Sequence, residues 1–349
     1  MNAQWKEFLI EAGARLQECV VMDFGNPAQE CAAVVNTNVM TDLSHEGLIG
    51  VEGADTIAFL QGQFTCDIHE VGTNMSRLGA WCNPKGRVRV NFRVFQRAEG
   101  FYLALPAECV ENTCQQLRKY ILRSKVTLRN ASGEWIRIGC SGPAIEEELR
   151  QVFLTLPSEP DQVIQEGTTT VIRLRGSFPR FEILGDSDTL TKVWNILKKA
   201  NTVSIGASAW STLEVLSGVP VITQVTTEAF VPHMLNLPEI GAVSFRKGCY
   251  TGQEIVARTQ YLGKSKRRLY LAWIPPQESP RPGDPLWTPA EGEEQNPGQI
   301  VNVAPAPEGG FLVLAVIAVA DAQQGEIHLR DQNGCLLKIR VFSYFLLGP

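Results

Sequence analysis

Between Lys247 and Glu254 the chain reads Lys-Gly-Cys-Tyr-Thr-Gly-Gln-Glu, a cysteine set between two glycines and two residues after a lysine. Thr251 and Glu254 have the capping-box spacing, in which the threonine oxygen takes the N3 amide and the glutamate reaches back to the N-cap amide. Tyr250 and Ile255 then fall at the staple positions, so the spacing predicts a helix from about Gly252. Cys249 would sit near the positive end of that helix and close to Lys247, and both conditions favour thiolate over thiol. Gly248 and Gly252 permit close approach of another molecule, or a positive φ where the chain turns. Thiol chemistry or anion binding is the chemistry this implies. The same features also describe an ordinary turn into a capped helix beside a buried cysteine, and the spacing alone leaves both readings open.

The second chemical feature is "KGRVRVNFRVFQR", residues 85 to 97. Val88, Val90, Phe92 and Val94 alternate with Arg87, Arg89, Asn91 and Arg93, the period-2 pattern of a strand with one apolar and one cationic face. Such a face is usually solvated; turned toward an opening, the three arginines would suit carboxylates or the phosphates of RNA. The same two readings apply to "KSKRR" at 264 to 268 and to Arg118, Lys119, Arg123 and Lys125. His233 and Asn236 lie in the Pro-containing "FVPHMLNL". A histidine without an orienting carboxylate reads as a packed loop residue rather than a catalyst, and Trp210 reads as core.

The elements that must position these residues alternate. Helices are expected over residues 3 to 18, over "GADTIAFLQGQF", from about Glu108 to Arg123 and over "DTLTKVWNILKKA", with strands between them. After Lys264, Pro-rich loop and short apolar stretches separated by Gly, Pro, Asn and Asp point to a C-terminal β domain. The expected organisation is an α+β body over residues 1–263 and a β domain over 264–349. A length of 349 residues supports two or three units.

Composition narrows the classes. With 44% hydrophobic and 20% charged residues the chain is an ordinary globular one. The net charge of -5 argues against a sequence-independent nucleic-acid binder. The apolar run from Gly309 to Ala320 is too short to cross a bilayer and reads as buried strand. The first residues resemble neither a signal nor a transit peptide, so a cytoplasmic location is expected. Nine cysteines without any C-x-x-C pair, and four histidines that do not cluster near them, give no spacing for a resident metal site. Most should be buried free thiols.

"FRKGCYTGQEIVAR" resembles the signature of the YgfZ-type folate-binding proteins, a family that includes mitochondrial iron-sulfur assembly factors and is related to the aminomethyltransferase of the glycine cleavage system. "DLSHEGLIGVEGADTIAFLQGQFTCDI", "WCNPKGRVRVNFRVF", "LRKYILRSKVTL" and "FVPHMLNLPEIGAVSFRKGCYTGQE" fall in the family's order. The resemblance implies an α+β fold of interlocked ferredoxin-like subdomains followed by a small C-terminal β-barrel. It also implies a tetrahydrofolate or related reduced folate held by Arg87, Arg89, Asn91, Arg93, Asn236, Tyr250 and Gln253, with Cys249 as the functional thiol and Lys247 beside it. The implied role is an accessory one in assembling or repairing iron-sulfur clusters of client enzymes, including one that methylthiolates tRNA. A cluster or sulfur species would pass transiently through Cys249, and contact with tRNA would be indirect. A folate-dependent one-carbon transferase and a direct tRNA-binding module are the alternatives.

The chain departs from its relatives in two places. The aminomethyltransferases' Asp pair is replaced by Val90 and Asn91, and no carboxylate occurs from Asn83 to Ala98. A field set by arginines opposes a cationic aminomethyl intermediate, so aminomethyl transfer is not expected. Where many relatives carry a pterin-pairing glutamate this chain has Leu216.

Overall fold

The computed structural model describes residues 1–98, 100–263, 265–289, 298–340 and 342. The chain divides into two compact units. The first comprises Met1–Leu60, Ile68–Arg77 and Phe92–Leu213, and the second Gln61–Asp67, Leu78–Asn91 and Glu214–Pro349. Each is built from several non-adjacent segments, and the strands after residue 264 fold within the second. Lys264 and most of "RVFSYFL" lie outside the described residues.

In the first unit a six-stranded sheet runs Val163–Glu166, Thr169–Leu174, Arg180–Gly185, Ile136–Ser141, Val39–Asp42, Val203–Ser204, antiparallel except for its last pair. Helix Ser187–Lys199 covers it with Leu190, Val193, Trp194 and Leu197, the i, i+3, i+4, i+7 stripe of an amphipathic helix. Asp186 caps that helix by accepting from the Thr189 amide at 2.8 Å. The N-terminal helix spans Ala3–Glu11 and stops short of the predicted residue 18. Gly13, at φ 98, turns the chain there, and Arg15–Gln17 pairs with Val20–Asp23 instead. A second antiparallel layer contains Gly100–Pro106, Glu46–Glu52 and Thr127–Asn130, with helix Ala107–Arg118 packed on it.

In the second unit four antiparallel strands lie in the order Gly298–Pro305, Phe311–Ala318, Arg267–Ile274, Lys338–Arg340. Leu312, Leu314 and Val316 enter one apolar cluster while Val313, Ala315 and Ile317 enter another. Burial on both faces is why this stretch reads as an unbroken apolar run. Leu286–Trp287 and His328–Leu329 form a separate ribbon. Among the described residues these strands do not close into a barrel, since Gly298–Pro305 and Lys338–Arg340 are the two edges of their sheet.

Candidate functional site

The loop carrying Cys249 is fastened to a segment remote in sequence. The Ser244 amide donates to the Thr65 carbonyl at 2.8 Å, and the Thr65 hydroxyl donates to the Ala242 carbonyl at 2.7 Å. Lys247 completes the attachment, its Nζ donating to the carbonyls of Phe64 at 2.6 Å and Cys66 at 2.8 Å. That ammonium also lies 5.3 Å from the centre of the Tyr250 ring, a cation–π distance. Burial pulls the Lys247 pKa down to about 8, against a smaller opposing influence from Cys66 and Asp67. These hydrogen bonds of Lys247 hold the loop in place.

Tyr250 is 6% exposed, and among the described residues its hydroxyl has no hydrogen-bond partner. Burial, then the neighbouring Cys82 and Cys66, raise its pKa. Gly252 has φ 83, and a Cβ there would lie 2.4 Å from the Asn83 carbonyl oxygen, so only glycine fits this corner. With Lys247 and Tyr250 turned inward and Gly252 pressed on the Asn83–Arg87 turn, Cys249 is left exposed.

The predicted capping box does not form. The helix spans Gln253–Leu262 with Gly252, not Thr251, as N-cap, and among the described residues it has no side-chain cap hydrogen bond. The left-handed Gly252 takes the position the threonine would need. Gln253 instead closes the loop behind Cys249: its amide donates to the Tyr250 carbonyl at 3.1 Å, and its Nε2 donates to Gly248 O at 3.5 Å.

The arginine strand spans Val88–Arg97; on its polar face Asn91, Arg93 and Arg97 are buried and Arg89 is half-buried, while Arg87, just before it, is exposed. The Arg87 Nη1 donates to the carbonyls of Glu228 and Ala229, while Arg89 pairs with Glu228 at 2.9 Å and lies 4.7 Å over the Trp81 ring. Val90 is buried. Asn91, 8% exposed, donates to the Pro220 carbonyl at 2.6 Å and accepts from the Ile222 amide at 2.8 Å. Arg93 belongs to the first unit, where its Nη1 bonds to Asp161 at 2.6 Å and to the Ser76 hydroxyl at 2.8 Å. Burial alone would raise the Asp161 pKa, but Arg93 and Arg175 hold it below the ordinary range.

Asn236 is buried in a left-handed turn at φ 53, donating to the Leu269 carbonyl at 3.0 Å and accepting from its amide at 3.4 Å. His233 reaches Gln260 on the helix after the cysteine loop at 3.1 Å, and burial lowers its pKa. Leu216 packs against the apolar cluster, and Trp210 is fully buried. The structure thus gathers Lys247, Cys249, Tyr250 and Gln253 into one loop and sets Arg87 and Arg89 on the segment at 228–229. The donors of Asn91, Arg93 and Asn236 are engaged within the chain. Sequence reasoning missed Glu228, which neutralises Arg89, and the Phe64–Cys66 carbonyls; a backbone acceptor leaves no mark in a sequence. Among the described residues no group of three or more His, Cys, Asp and Glu side chains could hold a metal ion, and no helix is long and apolar enough to cross a membrane.

Residues 22–247 match the family model described as the GCVT N-terminal domain. The tRNA-modifying protein YgfZ of Colwellia psychrerythraea is 34% identical over 310 residues, 88% of this chain and 94% of that protein. The protein of the same name from Shigella boydii is 31% identical over 320 residues, 92% of this chain and 97% of that one. Among solved structures, the glycine cleavage system aminomethyltransferase T of Bartonella henselae is similar with a TM-score of 0.78 at 18% identity, covering 98% of this chain and 97% of that one. This last likeness shows the fold, an α+β arrangement of the aminomethyltransferase type.

Proposed function

The chain belongs to the YgfZ-type family of GCVT-domain proteins, and on that premise we propose that it is an accessory protein of tRNA modification acting through the Cys249 thiol. More finely, it supports assembly or repair of iron-sulfur clusters in client enzymes, those that methylthiolate tRNA among them. The observation that carries this reading is the presentation of Cys249: an exposed thiol on a loop fixed by Lys247, Tyr250 and Gly252. One thiol supplies one ligand, so a cluster passing through this site takes its remaining ligands from the client. The reading places the protein in the cytoplasm, where free thiols persist.

Reduced folate is the ligand the family implies. Arg87, exposed, and Arg89, half-buried, suit its glutamyl carboxylates, and Gln253 is the further polar group we assign to it; Tyr250, whose hydroxyl is buried, packs the loop instead of meeting the ligand. Asn91, Arg93 and Asn236 serve as wall rather than ligand, because their amide and guanidinium groups already bond within the chain. The pterin has no carboxylate to meet at Leu216. A double Arg87→Ala, Arg89→Ala variant should lose saturable tetrahydrofolate binding in calorimetry; unchanged binding would remove both arginines from the site. Aminomethyl transfer forms no part of the reading, since Val90 and Asn91 offer no anion to the cationic intermediate.

The test is rescue of a strain lacking the protein. Cys249→Ala should fold as the wild type by circular dichroism and fail to restore iron-sulfur enzyme activity in extracts. Full rescue by that variant would overturn the assignment.

A further inference from the structure

The first unit holds a cavity of about 350 Å³. It opens between the end of helix Ser187–Lys199, the start of helix Pro27–Ala33 and the segment from Asn201 to Ser204. Its size falls at the small end of the ~300–1,000 Å³ typical of ligand pockets, which suits a ligand of nucleoside size.

Its electrostatics are less cation-seeking than a helix C-terminus and a glutamate would suggest. Asn201, at φ 64, donates its amide to the Lys198 carbonyl at 3.1 Å, and Thr202 donates to the Leu197 carbonyl at 3.0 Å. This is the Schellman pattern, and it occupies the carbonyls that would otherwise draw a cation. Glu30 in the wall accepts three backbone amides, from Phe24 at 2.7 Å, Asn26 at 3.2 Å and Gly206 at 2.9 Å. Those donors offset its charge.

The remaining groups are neutral or cationic. Ser204 is 4% exposed and lines the cavity, and among the described residues its buried hydroxyl has no hydrogen-bond partner. Gln29 and Asn201 bring carboxamides, each offering a donor and an acceptor, and Asn26, whose Oδ1 caps the helix by accepting from the Gln29 amide at 3.2 Å, brings its Nδ2 donor. Phe24 contributes a half-buried ring, tilted on Trp194 at 5.9 Å, and Lys198 an exposed ammonium at the rim. A planar heterocycle with donors and acceptors along its edge complements carboxamides beside an aromatic ring, and a phosphate complements the ammonium.

We infer that this cavity binds a nucleoside monophosphate, the base on Phe24 and the carboxamides and the phosphate at Lys198. The unit could be a free nucleotide or one residue of single-stranded RNA. The inference does not rest on the reading of Cys249, which lies in the other unit.

The test is equilibrium binding to the full-length protein. The probes are AMP, GMP, CMP and UMP, their unphosphorylated nucleosides, and a short single-stranded RNA of mixed sequence. At least one monophosphate should bind saturably at one site. Lys198→Ala should weaken the monophosphate about tenfold and spare the nucleoside, and Gln29→Ala should weaken both, each by about the contribution of one hydrogen bond or charge. Both side chains are exposed, so either variant should keep the fold, checked by circular dichroism. Competition by the oligonucleotide supports the site with RNA as its source; binding of free monophosphates alone supports it with nucleotides as source. No saturable binding by any of the four monophosphates, or binding indifferent to both substitutions, would overturn the inference.

Discussion

At the residue scale Lys247 decides how the cysteine is presented. Two backbone carbonyls hold its Nζ, and the carbonyls belong to residues 183 and 181 positions away in sequence. Burial brings its folded pKa to about 8 from the ordinary 10.5. Between those values the unfolded chain keeps the proton that the folded chain has lost. Stability attributable to this group therefore rises with pH from about 8 to about 10, and is lost as pH falls through about 8. Urea unfolding over that range should show wild type gaining stability relative to Lys247→Met. A flat difference would mean that Lys247 is not buried as described. Burial pushes the Cys82 thiol up to about 12, which leaves it protonated and unreactive near neutral pH.

At the element scale the strand Val88–Arg97 shows what alternation conveys and what it omits. The apolar side chains Val88, Val90, Phe92 and Val94 are buried as their period demands. The polar set is also enclosed or paired, because Asn91 bonds to residues 220 and 222 and Arg89 bonds to Glu228. A carboxylate at position 91 could accept from Ile222 but could not donate to the Pro220 carbonyl. Asn91→Asp should thus lower the unfolding free energy by roughly 1–3 kcal/mol, the cost of a lost buried hydrogen bond facing a like dipole. Chemical denaturation measures this directly. An unchanged midpoint would show that the asparagine does not tie the strand to that loop.

At the scale of the whole molecule, legibility followed the range of the interactions. Helix Ser187–Lys199 and strand Phe311–Ala318 are set by neighbours a few residues apart, and their patterns announce them. The motif from Lys247 to Glu254 was visible as a candidate site for the same reason. Its capping box was misread because Thr-x-x-Glu spacing says nothing of Asn83, whose carbonyl crowds Gly252. The anchoring of Lys247, the pairing of Arg93 with Asp161 and the mosaic division into units join distant segments. No local pattern records them.

The measurement that bears most directly on this account is the content of methylthiolated nucleosides in bulk tRNA. It should be read by liquid chromatography and mass spectrometry from a strain lacking the protein and carrying wild type, Cys249→Ser or Cys249→Ala at equal abundance. The account predicts restoration by wild type and by neither variant, since serine keeps the shape of the loop but not the sulfur. Restoration by Cys249→Ser would contradict it, leaving the exposed position without a role for its thiol.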